Sequence, residues 1–117
     1  PFEELSKKEE LESSETIRKR VINARNIQSK RFEKYPGIYC NAQMSSKLIR
    51  EFVQLDTESE NRLKTAINRL NLSARAYDKI LKVARTIADM DNSENVKPNH
   101  ISEAINYRNL DREGWGG

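Results

Sequence analysis

Ser73 and Arg75 open the run of this sequence in which residue types and spacing point most directly to chemistry. Behind them, Leu72, Ala76, Ile80, Val83, Ala84, Ile87 and Ala88 recur at spacings of three and four. That period predicts a helix from Ala74 to about Asp91 with one apolar face. A serine oxygen at position 73 would accept from the free backbone amides two or three residues on. Arg75 then falls in the first turn, where the positive end of the helix dipole disfavours a cation by a few tenths of a kcal/mol to about one. An arginine placed there suggests an anion nearby. The permanently charged guanidinium fork suits phosphate oxygens and stabilises charge in phosphoryl transfer. The plainer reading is an exposed helix arginine paired weakly with Asp78 three residues on. Spacing does not choose between the two.

Other chemistry is mostly excluded. The chain holds no G-x-x-x-x-G-K-[ST] loop, no G-x-G-x-x-G and no nucleophile elbow, so it carries no catalytic apparatus of its own. Its single cysteine, Cys40, has no partner for an internal disulfide, and with one histidine, His100, no Cys/His zinc site assembles. No metal ligands are expected. Asp89-Met90-Asp91-Asn92-Ser93 begins like a calcium loop, but Glu94 replaces the glycine at the sixth position and His100 the glutamate at the twelfth. His100, near a helix start, reads as a surface or capping residue. A second suggestive feature is charge placement. Residues 1–12 carry two lysines against five glutamates, whereas residues 13–34 carry seven cations, among them Arg18, Arg20 and Arg25, against two glutamates. Such a basic helix suits phosphates, or it is a solvated face partly neutralised by the acidic segment.

The elements that must position these groups are helical. Apolar residues make up 36% and charged residues 33% of the 117 positions, a balance that fits one small domain with long solvated faces. Few glycines and prolines leave little punctuation for a many-stranded sheet. An all-α bundle of about five helices is expected. Residues 1–12 read as a linker. Ser13 or Ser14 caps a basic connecting helix over 13–34, with Ile17, Val21, Ala24, Gln28 and Phe32 in one stripe widened by Ile27. Tyr35-Pro36-Gly37 stops it. The bundle occupies 35–112: a short helix after Ser45 bearing Leu48, Ile49, Phe52 and Val53, a third capped by Asp56 bearing Leu63, Ala66, Ile67 and Leu70, the helix after Ser73, and a last one opened by Pro98 with Ile101, Ala104 and Ile105 inward. Residues 113–117, with Trp115, read as a flexible tail.

Leu72-Ser73-Ala74-Arg75-Ala76-Tyr77, the run Ile80 to Asp89 and His100 to Arg108 closely resemble the C-terminal region of magnesium-chelatase-like AAA+ ATPases of the ComM competence-protein type. Glu12-Ser13-Ser14, Ile17 to Val21, Ala24-Arg25, Gln28 and Asn41-Ala42-Gln43 resemble upstream parts of the same region, so the likeness covers residues 12 to 112. The glycine common before the Glu-Ser-Ser element is Leu11 here. The resemblance implies a helical lid following a nucleotide-binding core, with Arg75 at the position of the sensor-2 arginine that contacts the ATP γ-phosphate, in its own or a neighbouring subunit's site. It implies a full-length parent that uses ATP and Mg2+, assembles as a homo-hexamer, and couples hydrolysis to DNA remodelling by branch migration or, in other members of the clade, to metal insertion into a porphyrin. Arg18, Arg20 and Arg25 would lie near the core or a subunit boundary.

On this reading the chain alone is not an enzyme, binds no cofactor and is a monomer, since ring contacts would largely involve the core. A cytoplasmic location is expected, because no run approaches the length of a membrane span and the cysteine usage fits a reducing compartment. The alternative is a stand-alone helical nucleic-acid-binding or partner-docking module built on the basic helix.

Overall fold

A computed structural model of the chain describes residues 2–110, with side chains described over 14–108. Five α-helices and one 3-10 turn follow in order: α1 Phe2–Arg31, the turn Asn41–Gln43, α2 Ser46–Phe52, α3 Thr57–Leu70, α4 Ala74–Met90 and α5 Pro98–Leu110. No strand occurs among the described residues, and the class is all-α. Trp115 and the segment 113–117 lie outside the described residues.

Local chemistry accounts for most boundaries. Ser45, Asp56 and Ser73 each take the extended N-cap conformation and accept from the backbone N–H three residues on, satisfying an amide that the helix itself cannot. Both long central helices end on an asparagine with positive φ, Asn71 at 51° and Asn92 at 54°. In each case the following residue donates back five positions, Leu72 to Ile67 at 3.1 Å and Ser93 to Ala88 at 2.8 Å, the Schellman arrangement. Gly37, at φ +82°, turns the chain after α1.

Two expectations at α1 need correction. The helix does not open at Ser13 or Ser14; its backbone runs from Phe2 through both serines. Residues 2–12, read as a linker, contain neither proline nor glycine, and glutamates four positions ahead of lysines favour helix. Nor is the whole apolar stripe buried. Ala24, Gln28 and Phe32 are enclosed, but Ile17 is 50% exposed; among the described residues of α1, those packed into the bundle lie toward its C-terminal end. Leu70 on α3 is likewise 40% exposed, lying at the helix end beyond the packing face.

The core is centred on α4, which packs against α1, α2, α5 and the 3-10 turn, while α3 packs on α5. Ile80, Ala84 and Ala88 are fully enclosed, together with Leu63, Ile101 and Ala104. Small residues on α4 let its neighbours approach closely, and the remaining space is filled by Phe32, Met44, Leu48, Ile49, Val53 and Val96. Phe32, Tyr35 and Phe52 close one end in edge-to-face contacts with centroids 5.5 to 6.3 Å apart.

The Asp56 cap carries a pH prediction. The Ser59 backbone N–H, which donates to Asp56 Oδ1 at 2.7 Å, holds the Asp56 carboxyl below its ordinary value, assisted by the nearby Arg62 charge and opposed by desolvation. A depressed carboxylate contributes stability that is present above its unfolded pKa and is lost as pH falls through the folded one. Acid denaturation followed by circular dichroism should therefore show Asp56→Asn losing less stability than the unsubstituted chain as pH drops below the carboxylate range. Parallel acid curves would refute that role.

Candidate functional site

The first turn of α4 is built as expected. Ser73 Oγ accepts from Ala76 N at 3.1 Å, and Ala76 behind it is fully enclosed. Arg75, about 100° around the helix from Ala76, is exposed and makes no hydrogen bond or ion pair among the described residues. The weak pair with Asp78 does not form. Asp78 instead accepts from Ser46 Oγ of α2, Oγ to Oδ2 2.8 Å. Both partners lie on the wall of a groove of about 770 Å3 that runs between α2, α3 and the start of α4, with Tyr77 beside them and Ile49, Leu72 and Leu81 at its base.

Arg18, Arg20 and Arg25 are exposed on α1, but they do not behave alike. Arg20 is committed within the chain, donating from Nη2 to Asp91 Oδ1 at 2.9 Å and from Nε to the Met90 carbonyl at 3.3 Å. Arg18 and Arg25 make no such contact among the described residues. Arg20 reaches the C-terminal end of α4, roughly 22 Å of helix from Arg75, so the α1 arginines and Arg75 belong to different ends of the domain.

A polar cluster not expected from the sequence lies inside the bundle. Asp89 is 1% exposed. It receives both terminal nitrogens of Arg31, each at 2.7 Å, Arg85 Nε at 3.2 Å and Asn41 Nδ2 at 2.9 Å. Arg85 continues to the backbone carbonyls of Glu94 at 3.0 Å and Ser93 at 2.8 Å, and Asn41 N donates to Gln28 Oε1 at 2.9 Å. Burial pulls the Arg85 guanidinium below its ordinary value; Asp89 opposes that pull and the positive charge of Arg31 adds to it. The cluster ties the end of α1, the 3-10 turn, α4 and the α4–α5 turn to one carboxylate. One signal could have exposed it: Arg85 and Asp89 are four apart and each adjoins a buried alanine of the α4 stripe.

His100 is a capping residue, as read, but not a surface one. It is 1% exposed, and its Nδ1 accepts from the Lys97 backbone N–H at 2.9 Å at the start of α5, the reach-back of a capping box made by a histidine. Nε2 lies 2.9 Å from Asp91 Oδ2. Asp89 and Asp91, the start of the calcium-like run, are thus taken by side chains of the protein. Among the described residues no group of three or more His, Cys, Asp or Glu is placed to hold a metal ion, and no helix is long and apolar enough to cross a membrane.

The chain is thus a small helical domain that buries an aspartate bound by two arginines and holds Arg75, at a capped helix start, without an ion pair among the described residues. The chain belongs to the family described as magnesium chelatase, subunit ChlI C-terminal, whose model matches residues 11–108. It is 44% identical over 101 residues to Uncharacterized protein YifB of Escherichia coli (strain K12), and 39% identical over 101 residues to Competence protein ComM of Haemophilus influenzae; both alignments cover 86% of this chain and 19% of the relative. Uncharacterized protein Rv2897c of Mycobacterium tuberculosis is 30% identical over 97 residues, covering 83% of this chain and 19% of its own. The chain therefore spans about a fifth of the length of these relatives.

Proposed function

We propose that this domain is the lid of a ring-forming AAA+ ATPase and that Arg75 is its sensor-2 arginine, placed to meet the γ-phosphate of ATP. The observation that carries the reading is the state of Arg75. It is a permanently charged fork in the first turn of α4, and no carboxylate among the described residues engages it although Asp78 is within reach along the helix. ATP and Mg2+ would be held mainly by residues outside this chain, in an upstream core of the same subunit or a neighbour in a homo-hexamer; this chain supplies the arginine and the rigid helix under it. Loss of the γ-phosphate would remove one strong attraction on that helix and let the lid rotate. ATP hydrolysis by the full-length parent with Arg75→Ala tests the assignment, and unchanged turnover would rule it out.

For the parent as a whole we propose coupling of hydrolysis to DNA remodelling, which the name of the competence protein among its relatives supports. Exposure of Arg18, Lys19 and Arg25 on α1, without ion pairs among the described residues, favours direct contact of this domain with nucleic acid. Titration with duplex and single-stranded DNA should then show micromolar binding that falls steeply between low and moderate salt, as released counterions require. Absence of binding at low salt would remove the basic helix from that role.

A further inference from the structure

We propose that Ser46 is a positioning residue for Arg75: by holding Asp78 through Oδ2, it orients that carboxylate toward α2 and disfavours its closing on the guanidinium, which leaves the arginine's charge available for phosphate. The inference deepens the sensor reading and rests on it. Residues three apart on a helix are surface neighbours, and an acid–base pair at that spacing shifts a helical equilibrium about twofold. Arg75 and Asp78 stand at that spacing, in the weaker order with the cation N-terminal to the acid. A guanidinium already paired must release its carboxylate before it can take a phosphate oxygen, and the carboxylate would then sit beside the incoming anion.

Delivery of Ser46 to the carboxylate is fixed by packing. Ser45 caps α2, accepting from Leu48 N at 3.3 Å, and Leu48 and Ile49 are buried beneath. The Ser46 hydroxyl therefore arrives on a short helix anchored to α4, and it donates to Asp78 Oδ2 at 2.8 Å, a charge-assisted bond stronger than its neutral equivalent. Arg75 has no partner among the described residues while that bond stands.

Two measurements test the idea. In this chain, a double-mutant cycle of Arg75→Ala and Asp78→Asn, read by denaturant unfolding, should show no coupling when Ser46 is present and a roughly twofold coupling in the unfolding constant once Ser46→Ala is introduced. In the full-length parent, Ser46→Ala should raise the ATP concentration for half-maximal turnover two- to threefold at low salt and less at high salt. Asp78→Asn should restore it in the same molecule, and Ser46→Thr, which keeps the hydroxyl, should not change it. Absent coupling in both backgrounds, or a loss that Asp78→Asn fails to rescue, overturns the proposal. If Arg75→Ala leaves turnover unchanged, it is the sensor reading that fails, and the unfolding cycle still decides whether Ser46 restrains Asp78.

Discussion

Arg75→Ala in the full-length parent is expected to lower the rate of ATP hydrolysis about 10²- to 10³-fold, the range found when one preorganised donor to a developing charge is removed. The same substitution should leave the melting temperature of the domain unchanged or slightly raised. Arg75 is exposed and makes no hydrogen bond or ion pair among the described residues, and the dipole at a helix start disfavours a cation, so its removal should take little from the fold. That separation of effects identifies a group acting on a ligand rather than on its own domain. Arg75→Lys should recover only part of the rate, because an ammonium keeps the charge but not the planar fork that grips two phosphate oxygens. Nucleotide binding measured beside turnover sorts the role further: weaker binding with unchanged maximal rate would mean that the arginine holds ATP equally in ground and transition states.

How much of this was legible in the sequence can be judged residue by residue. Ser73, the α4 stripe, the Ser45 and Asp56 caps and Pro98 at the start of α5 are local signals, each depending on a few adjacent residues, and the structure forms them where they were expected. Failures came where a boundary or a face depends on distant contacts. Ser13 and Ser14 are good caps, yet a helix with strong formers on both sides of them has no reason to start there. Ile17 continues a stripe that periodicity cannot distinguish from the buried part, because burial ends where α4 ends, and that is a fact of packing.

The site divides in the same way. Exposure of Arg75 follows from its place off the apolar stripe that Leu72, Ala76 and Ile80 define. Its lack of a partner does not, since that depends on Ser46, twenty-nine positions away in sequence and on another helix. In a chain with one third of its residues charged, Arg85 and Asp89 look like the solvated side of an amphipathic helix, and nothing local shows that Arg31, fifty-eight positions earlier, will cover Asp89. His100 was legible as a cap from its position three residues after Lys97 and illegible as a buried group, because its burial comes from the α4–α5 packing.

Removal of the Asp89 carboxylate is expected to have the largest effect on stability. Its side chain is fully enclosed, and the side chains of Arg31 and Arg85 are only 12% and 5% exposed. Asp89→Ala leaves two guanidinium ions in a poorly solvated space without their counter-charge, and breaking a buried pair in this way costs about 3–5 kcal/mol. For a domain of this size total stability is of order 5–15 kcal/mol, and each kcal/mol moves the melting temperature by roughly 4–8 °C. The variant should therefore melt some tens of degrees lower or be unfolded at room temperature. Asp89→Asn preserves the shape and hydrogen-bonding oxygen but not the charge, and should recover little of the loss. Arg20→Ala is the informative contrast. Arg20 is 45% exposed and pairs with an Asp91 that is 38% exposed, where such bridges contribute at most about 1 kcal/mol. A further variant separates charge from architecture: replacing Arg31, Arg85 and Asp89 together by Met, Met and Leu should regain much of the stability, since well-packed apolar groups can substitute for a buried ionic cluster. Should Asp89→Ala unfold in denaturant at the same midpoint as the unsubstituted chain, the cluster would not be what fastens α1 to α4.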